Sequence, residues 1–126
     1  MGGTCNQSGW RADLIKELKI GYFQPMGDDW TPEMMEEEIR QRANCDYCLY
    51  TITPKMTGVY SIAELVEDSI RQPGKTVFCF LEKDGKQSFT PAQIRSLEQV
   101  GKLIMKHGAR FFRTLRDVAN FLNNNK

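Results

Sequence analysis

Two short apolar segments, residues 47–52 and 76–81, constrain the fold of this chain more than any other feature. The first is dense in aromatic and β-branched residues and lacks the alternation of a half-exposed strand, which is typical of a strand buried on both faces in a parallel sheet. Between the two, residues 60–71 carry Ile62, Leu65, Val66 and Ile70 on one helical face. The sequence therefore predicts a strand, a helix and a second strand that runs parallel to the first.

The same alternation continues through the rest of the chain. Proline at the first helical position predicts helix starts after Thr31 and Thr90, and the second of these carries a capping box that ends at Gln93. Residues 82–88 are polar and predict a solvated loop with an Asp-Gly turn. The other predicted helices cover residues 8–18, 31–43 and 90–106, and a last helix is capped by Thr114. The helix at 31–43 has an apolar stripe of Met35, Ile39 and Ala43. The other predicted strands cover residues 19–23 and 110–113.

Strands that alternate with helices imply right-handed β-α-β units. We therefore predict an α/β fold with a parallel sheet of four to five strands and helices on both faces, which is a three-layer sandwich. The 126 residues are expected to form a single domain, residues 1–126.

Composition excludes several classes of partner. There are 17 Lys and Arg residues against 16 Asp and Glu, so the formal charge is +1, and neither sign forms a long block. We therefore expect no nucleic-acid and no membrane partner. The chain has neither an apolar run of roughly 18 to 20 residues nor the apolar core of a signal peptide, which indicates a cytoplasmic protein.

The four cysteines lie mostly in apolar segments, which favours buried thiols rather than a disulfide framework. Cys45 and Cys48 form a C-x-x-C spacing without a second pair or a histidine nearby. Zinc binding and redox chemistry are therefore disfavoured for this pair.

Ligands of parallel sheets bind beyond the carboxyl ends of the strands. Glu64 follows the loop 53–58 and lies near the start of a predicted helix, where its carboxylate can attack an anomeric carbon or stabilise an oxocarbenium-like transition state. Ser61 to Glu64 is also a capping-box sequence, in which Glu64 would bond the backbone of Ser61. Both interpretations of Glu64 stay open at this point.

Other candidates have an ordinary interpretation beside the functional one. Gly2, Gly3 and Thr4 could present amides to an anion, although they form neither a dinucleotide-binding nor a phosphate-binding glycine motif. Asp28, Asp29 and Trp30 could bind a ribose and stack on a base, or be plain loop residues. Asp46 is expected to cap or orient a neighbouring loop. His107, the only histidine, is explained as a cation near a helix C-terminus, which leaves Ser-His and Cys-His catalysis without a base.

Four segments together resemble the nucleoside 2-deoxyribosyltransferase-like family: GGTCNQSGWR, YFQPMGDDWT, ANCDYCLYTITPKMTGVYSIAELVEDS and KTVFCFL. The resemblance covers nearly the whole chain and implies a flavodoxin-like or Rossmann-like sandwich. It implies that Glu64 is the nucleophile that takes the sugar from a base, with Asp46 as the aspartate that opens the preceding strand. The implied substrate-binding residues are Thr57, Gly58, Val59, Tyr60 and Ser61 for the sugar, and Gly3, Thr4, Cys5, Asp28, Asp29 and Trp30 around the base.

The resemblance implies cleavage of the N-glycosidic bond of a nucleoside or nucleotide, with transfer of the sugar to another base or to water. It needs no metal or cofactor, and members of the family are commonly homo-oligomers. Well-studied transferases have an acid six residues before the nucleophile, and that position is Gly58 here. A non-catalytic nucleotide-binding module and an NAD-cleaving glycohydrolase are the alternative functions.

Overall fold

A computed structural model describes residues 2–3, 8–19, 21 and 32–124, apart from the side chains at positions 34, 38 and 41–44. The helices in this part are α1 (Trp10–Ile15), α2 (Pro32–Asn44), α3 (Tyr60–Arg71), α4 (Pro91–Lys106) and α5 (Leu115–Asn124). The strands are β1 (Gly2–Gly3), β2 (Cys48–Ile52), β3 (Thr76–Phe80), β4 (Lys83–Asp84), β5 (Gln87–Ser88) and β6 (Arg110–Phe112).

Four of these strands form a parallel sheet in the order β1-β2-β3-β6. Every residue of β2 and β3 is buried, as the apolar segments predict. The prediction of an α/β fold with a parallel sheet is therefore confirmed.

The sheet contributes to two apolar clusters. Tyr50 and Phe78 belong to a cluster that includes Leu65 of α3 and Leu97 of α4. The neighbouring residues Leu49 and Val77 belong to a second cluster with Trp10 and Leu14 of α1 and with Val118 and Leu122 of α5. Because successive residues of a strand point to opposite sides, the two clusters cover opposite faces of the sheet.

Helix α4 packs closely on the last strand of the sheet. A side chain at Gly101 would meet the ring of Phe111 at 2.4 Å, so the glycine lets this ring lie against the helix. The Phe111 ring then stacks on Phe78 and Phe80, with centroids 5.3 and 5.8 Å apart. This contact explains a glycine in the middle of a buried helical stripe.

The helix boundaries agree closely with the local signals. The Thr90 side chain accepts from the backbone of Gln93 at 3.2 Å, and the Gln93 side chain accepts from the backbone of Thr90 at 2.9 Å, so the predicted capping box is confirmed. Thr114 caps α5 by accepting from the backbone of Asp117 at 3.1 Å. Gly108, after the end of α4, has a φ of 102° that favours glycine.

Several details of the predictions are wrong. In α3 the predicted residues Ile62, Leu65 and Val66 pack in the core, but Ile70 is 61% exposed, and Asp68 and Ser69 are buried as well. Met35 and Ile39 of α2 are also exposed, at 49% and 61%, and the side chain of Ala43 lies outside the described part. These stripes were predicted from spacing, which does not say whether another element covers them.

One predicted loop has a different structure, and part of one predicted strand lies outside the described residues. Residues 83–88 form the hairpin β4–β5 instead of a plain loop, with Gly85 at a φ of 63° in its turn. Lys19 and Gly21 have no regular structure, and the remaining residues of the predicted strand 19–23 lie outside the described part.

Candidate functional site at the carboxyl edge of the sheet

The chain changes faces between β1 and β2. Helix α1, which follows β1, packs in one apolar cluster, and α3, which follows β2, packs in the other. In open parallel sheets a crevice forms at the carboxyl ends of two strands whose following helices diverge in this way. Among the described residues, the candidate site is therefore bordered by Gly3 at the end of β1 and by the segment that follows β2.

A buried hydrogen bond fixes α3 on the sheet beside this crevice. The hydroxyl of Tyr50, in the middle of β2, donates to the carboxylate of Asp68 at 2.5 Å. Tyr50 and Asp68 are each only 4% exposed. Helix α3 also contacts β1 and β3. This bond determines which face of α3 is turned toward the strands.

Glu64 lies on that same face of α3. It precedes Asp68 by four residues, and residues four apart lie one above the other on a helix. Since α3 starts after the carboxyl end of β2, Glu64 is one turn nearer than Asp68 to the carboxyl edge of the sheet. Its side chain is partly buried. Glu64 therefore lies in the second turn of α3, near the carboxyl end of β2.

The capping-box interpretation of Glu64 is wrong. Helix α3 begins at Tyr60, and its N-cap residue is Val59, without a side-chain hydrogen bond at the cap. Ser61 therefore lies inside the helix instead of capping it, and Glu64 is the fifth helical residue. The local sequence pattern was misleading because the helix starts two residues earlier than a Ser61 cap would require.

Asp84, which the sequence placed in a solvated loop, brings three segments together at the crevice. Its carboxylate accepts hydrogen bonds from the hydroxyls of Ser8, just before α1, and of Thr53, just after β2. The Lys55 ammonium lies 3.6 Å from its other oxygen. The Asp84 side chain is 13% exposed, and Thr53 is fully buried. Asp84 thus ties the segments after β1 and β2 to the hairpin that follows β3.

These contacts keep Asp84 ionised. Burial alone would raise the pKa of this carboxyl group, but the hydrogen bonds from Ser8 and Thr53 and the charge of Lys55 together lower the pKa below its ordinary value of 3.8. A carboxylate in this state is a poor proton donor at neutral pH. Asp84 is therefore a positioning residue for the loops, and it does not replace the acid that is absent at Gly58.

The loop between β2 and α3 is open to solvent. Thr57, Gly58 and Tyr60 are exposed, and Ser61 is half-buried. A Cβ added at Gly58 would meet nothing within 4 Å. Met56, which directly precedes Thr57, borders an open groove of about 260 Å³. The other lining residues of this groove are Phe89, Ala92, Gln93, Ser96 and Leu97. The lining of that groove does not include Glu64, so the groove is separate from the crevice described above.

Gly3 lies at the end of β1 and pairs in register with Thr51. Its φ is 115°, and a Cβ there would lie 1.8 Å from the carbonyl oxygen of Thr51. A residue other than glycine would therefore force β1 away from β2. Of the residues predicted to contact a base, Gly3 is in the described part, whereas the predictions for Thr4, Cys5, Asp28, Asp29 and Trp30 fall outside it.

Asp46 lies at the end of β2 that is opposite this crevice. It lies exposed in the bend before β2, at the amino end of a five-residue strand. At about 3.3 Å per residue, the strand separates Asp46 from the carboxyl edge by about 16 Å. The role of Asp46 as a second catalytic residue stays a prediction from the resemblance.

A serine–histidine contact lies elsewhere in the molecule. The Ser69 Oγ is 3.0 Å from His107 Nδ1, and the same hydroxyl donates to the carbonyl oxygen of Val66 at 2.7 Å. Ser69 is fully buried, and its contact with His107 links α3 to the residue that follows α4.

Comparison with protein-family models, with curated proteins and with solved structures found no match to the chain. In the described part of the chain, no three His, Cys, Asp or Glu side chains are grouped so that they could hold a metal ion. No helix described here has the length and apolar character needed to cross a membrane.

Proposed function

We propose that this chain cleaves the N-glycosidic bond of a nucleoside or nucleotide, with Glu64 as the nucleophile. A Glu64 carboxylate oxygen forms a bond to C1′ of the sugar while the bond from C1′ to the base breaks, and the base leaves with the electron pair and takes up a proton. Water or a second base then attacks C1′ and releases Glu64. The observation that carries this proposal is that Glu64 is partly buried and lies one helical turn before Asp68, whose carboxylate accepts a hydrogen bond from Tyr50 of β2.

The sheet order supports the same proposal. The order β1-β2-β3-β6 corresponds to four strands of the flavodoxin-like order 2-1-3-4-5, with its edge strand left out. We include in the proposal a flavodoxin-like three-layer sandwich, in which the crevice between β1 and β2 is the ligand site. The close approach of Gly3 to Thr51 and the ties made by Asp84 keep the walls of such a crevice in place.

A nucleotide-binding module without turnover is the second candidate. The observation in its favour is the absence of an acid at Gly58, combined with the ionised state of Asp84. Neither position 58 nor Asp84 would then supply a proton to the leaving base. This candidate predicts ligand binding without release of a base.

A panel of nucleosides, deoxynucleosides, nucleotides and NAD, each with and without an acceptor base, tests the proposal. Chromatography measures the released base, and the matched control is Glu64→Gln, which keeps size and polarity but removes the nucleophile. The proposal expects base release by the wild-type protein that disappears in Glu64→Gln. Equal release by both proteins would contradict it, and ligand-induced thermal stabilisation without any product would favour the binding module. Consumption of NAD alone would identify a glycohydrolase.

A further inference from the structure

Cys45 and Cys48 bring two sulfur atoms into contact at the amino end of β2. Their Sγ atoms are 3.2 Å apart, and both residues are reduced thiols. A disulfide bond is about 2.05 Å long, so a movement of about 1 Å would close this pair. The pair lies at the edge of the sheet opposite the crevice of Glu64, and it plays no part in the proposed glycosidic chemistry.

The two thiols differ in their access to solvent. Cys45 is half-buried and lies in the bend between α2 and β2. Cys48 is the first residue of β2, is 6% exposed, and accepts a hydrogen bond from the Gln72 side chain at 3.7 Å. A reagent from solution can therefore reach Cys45 more readily than Cys48.

Electrostatics separates the two thiols further. The hydrogen bond from Cys48 lowers the pKa of Cys45 to about 6, against the effect of burial, and the charge of Lys75 adds to the lowering. The same hydrogen bond, burial and the nearby charge of Asp68 raise the pKa of Cys48. Since the thiolate is the reactive form, Cys45 is the nucleophile of the pair at neutral pH.

We infer that Cys45 and Cys48 form a redox-active dithiol that undergoes exchange with small disulfides, in which Cys45 attacks and Cys48 resolves. The Cys45 thiolate attacks one sulfur of the small disulfide, forms a mixed disulfide and expels one thiolate. Cys48 then loses its proton and attacks the Cys45 sulfur, which forms the internal disulfide and releases the second small thiol. In sum, two protein thiols and one small disulfide give one protein disulfide and two small thiols.

The expected rate at which Cys45 reacts with a small disulfide follows from two opposing effects. At pH 7 a thiol of pKa about 6 is ionised to roughly a hundredfold greater extent than one of pKa 9, whereas its lower basicity reduces its nucleophilicity about twentyfold. Cys45 should therefore react about fivefold faster than an ordinary exposed thiol. In Cys48→Ala the hydrogen bond from the neighbouring thiol is removed, so the acid limb of the Cys45 alkylation profile should move to higher pH.

Oxidised glutathione is the probe for the decisive experiment. The reduced full-length protein is incubated with it at pH 7, quenched with acid, alkylated and digested with trypsin, which yields residues 43–55 as one peptide with both cysteines. We expect this peptide to lose two hydrogens and escape alkylation in the wild type. In Cys48→Ser we expect a glutathione adduct trapped on Cys45, and in Cys45→Ser neither product. The matched control Cys79→Ser alters another buried cysteine and should still form the internal disulfide.

Two results would overturn the inference. One is recovery of residues 43–55 from the wild type with both thiols alkylated after incubation. The other is an equal yield of glutathione adduct in Cys45→Ser and Cys48→Ser, since this would remove the distinction between attacking and resolving thiols. Circular dichroism of each variant establishes that it is folded, and the wild-type peptide decides the matter even if one variant is not.

Discussion

Glu64 lies one helical turn before Asp68 on the same face of α3, and Asp68 is held to the sheet by a 2.5 Å hydrogen bond from Tyr50. A buried contact in the middle of the sheet thus holds the helix that carries Glu64. The stability of the fold and the proposed chemistry are therefore linked through one helix.

Tyr50→Phe tests this link. The change removes one hydrogen bond to a buried carboxylate, so we expect the free energy of unfolding to fall by about 1–3 kcal/mol. We also expect slower base release, because α3 loses the contact that orients Glu64. Urea unfolding and the base-release assay measure the two effects. Tyr60→Phe is the matched control for the stability measurement alone: it removes the hydroxyl of a tyrosine that is 75% exposed and should change stability by less than about 0.5 kcal/mol. Unchanged stability and activity in Tyr50→Phe would refute the link.

Gly3→Ala tests the pairing of β1 with β2. The new methyl group would overlap the Thr51 carbonyl, and the φ of 115° would be strained in addition. We expect a loss of more than about 2 kcal/mol in the free energy of unfolding, measured in urea. Gly74→Ala, where a Cβ meets nothing within 4 Å, should stay close to the wild type. An equal effect of the two substitutions would show that β1 does not approach β2 this closely.

The parts of this fold that could be predicted are those with local signals. The strands β2 and β3 follow from apolar runs, and α4 follows from its capping box and its final glycine, because these signals lie within a few residues of the feature they specify. The buried face of α3 could be predicted in part. Ile62, Leu65 and Val66 pack in the core as their spacing indicates, whereas the burial of Asp68 depends on its contact with Tyr50 and the exposure of Ile70 has no local signal. The tie between Asp84 and Ser8 spans 76 positions, so no local pattern reveals it.

Glu64 and Gly3 are the predicted site residues for which the structure adds the most. The helix start at Tyr60 removes the capping-box interpretation of Glu64, and the contact with Thr51 explains why Gly3 is a glycine. Neither fact can be read from composition or spacing, because both depend on how the elements pack.

Asp84→Asn tests the ionised tie at the crevice. The lowered pKa means that Asp84 stabilises the fold at pH values above 3.8, and that this contribution is lost as the pH falls through the pKa of the folded state. We therefore expect the wild type to be more stable than Asp84→Asn at pH 7, with a difference that shrinks as the pH approaches 3. Urea unfolding at several pH values measures it. A difference that grows toward low pH would contradict the assignment.

Gly58→Glu tests the missing acid. The space around a Cβ at this position is open, so we expect the side chain to be accepted with a change in stability of less than about 0.5 kcal/mol. If proton donation to the leaving base limits the reaction, base release should rise by about 100-fold, the lower end of the range for general acid catalysis. Gly58→Gln is the matched control without a proton to donate. Equal rates in the two variants would show that proton supply at position 58 is not limiting.

Mass spectrometry of the acid-quenched protein detects the proposed covalent bond between Glu64 and the sugar. After brief incubation with the best substrate of the panel, we expect a fraction of the protein that is heavier by one sugar residue, with the added mass on the tryptic peptide that contains Glu64. The mass should be absent in Glu64→Gln, and in the wild type it should decay as water hydrolyses the glycosyl ester, faster when an acceptor base is added. Base release without any such adduct, or an adduct on another residue, would contradict the claim.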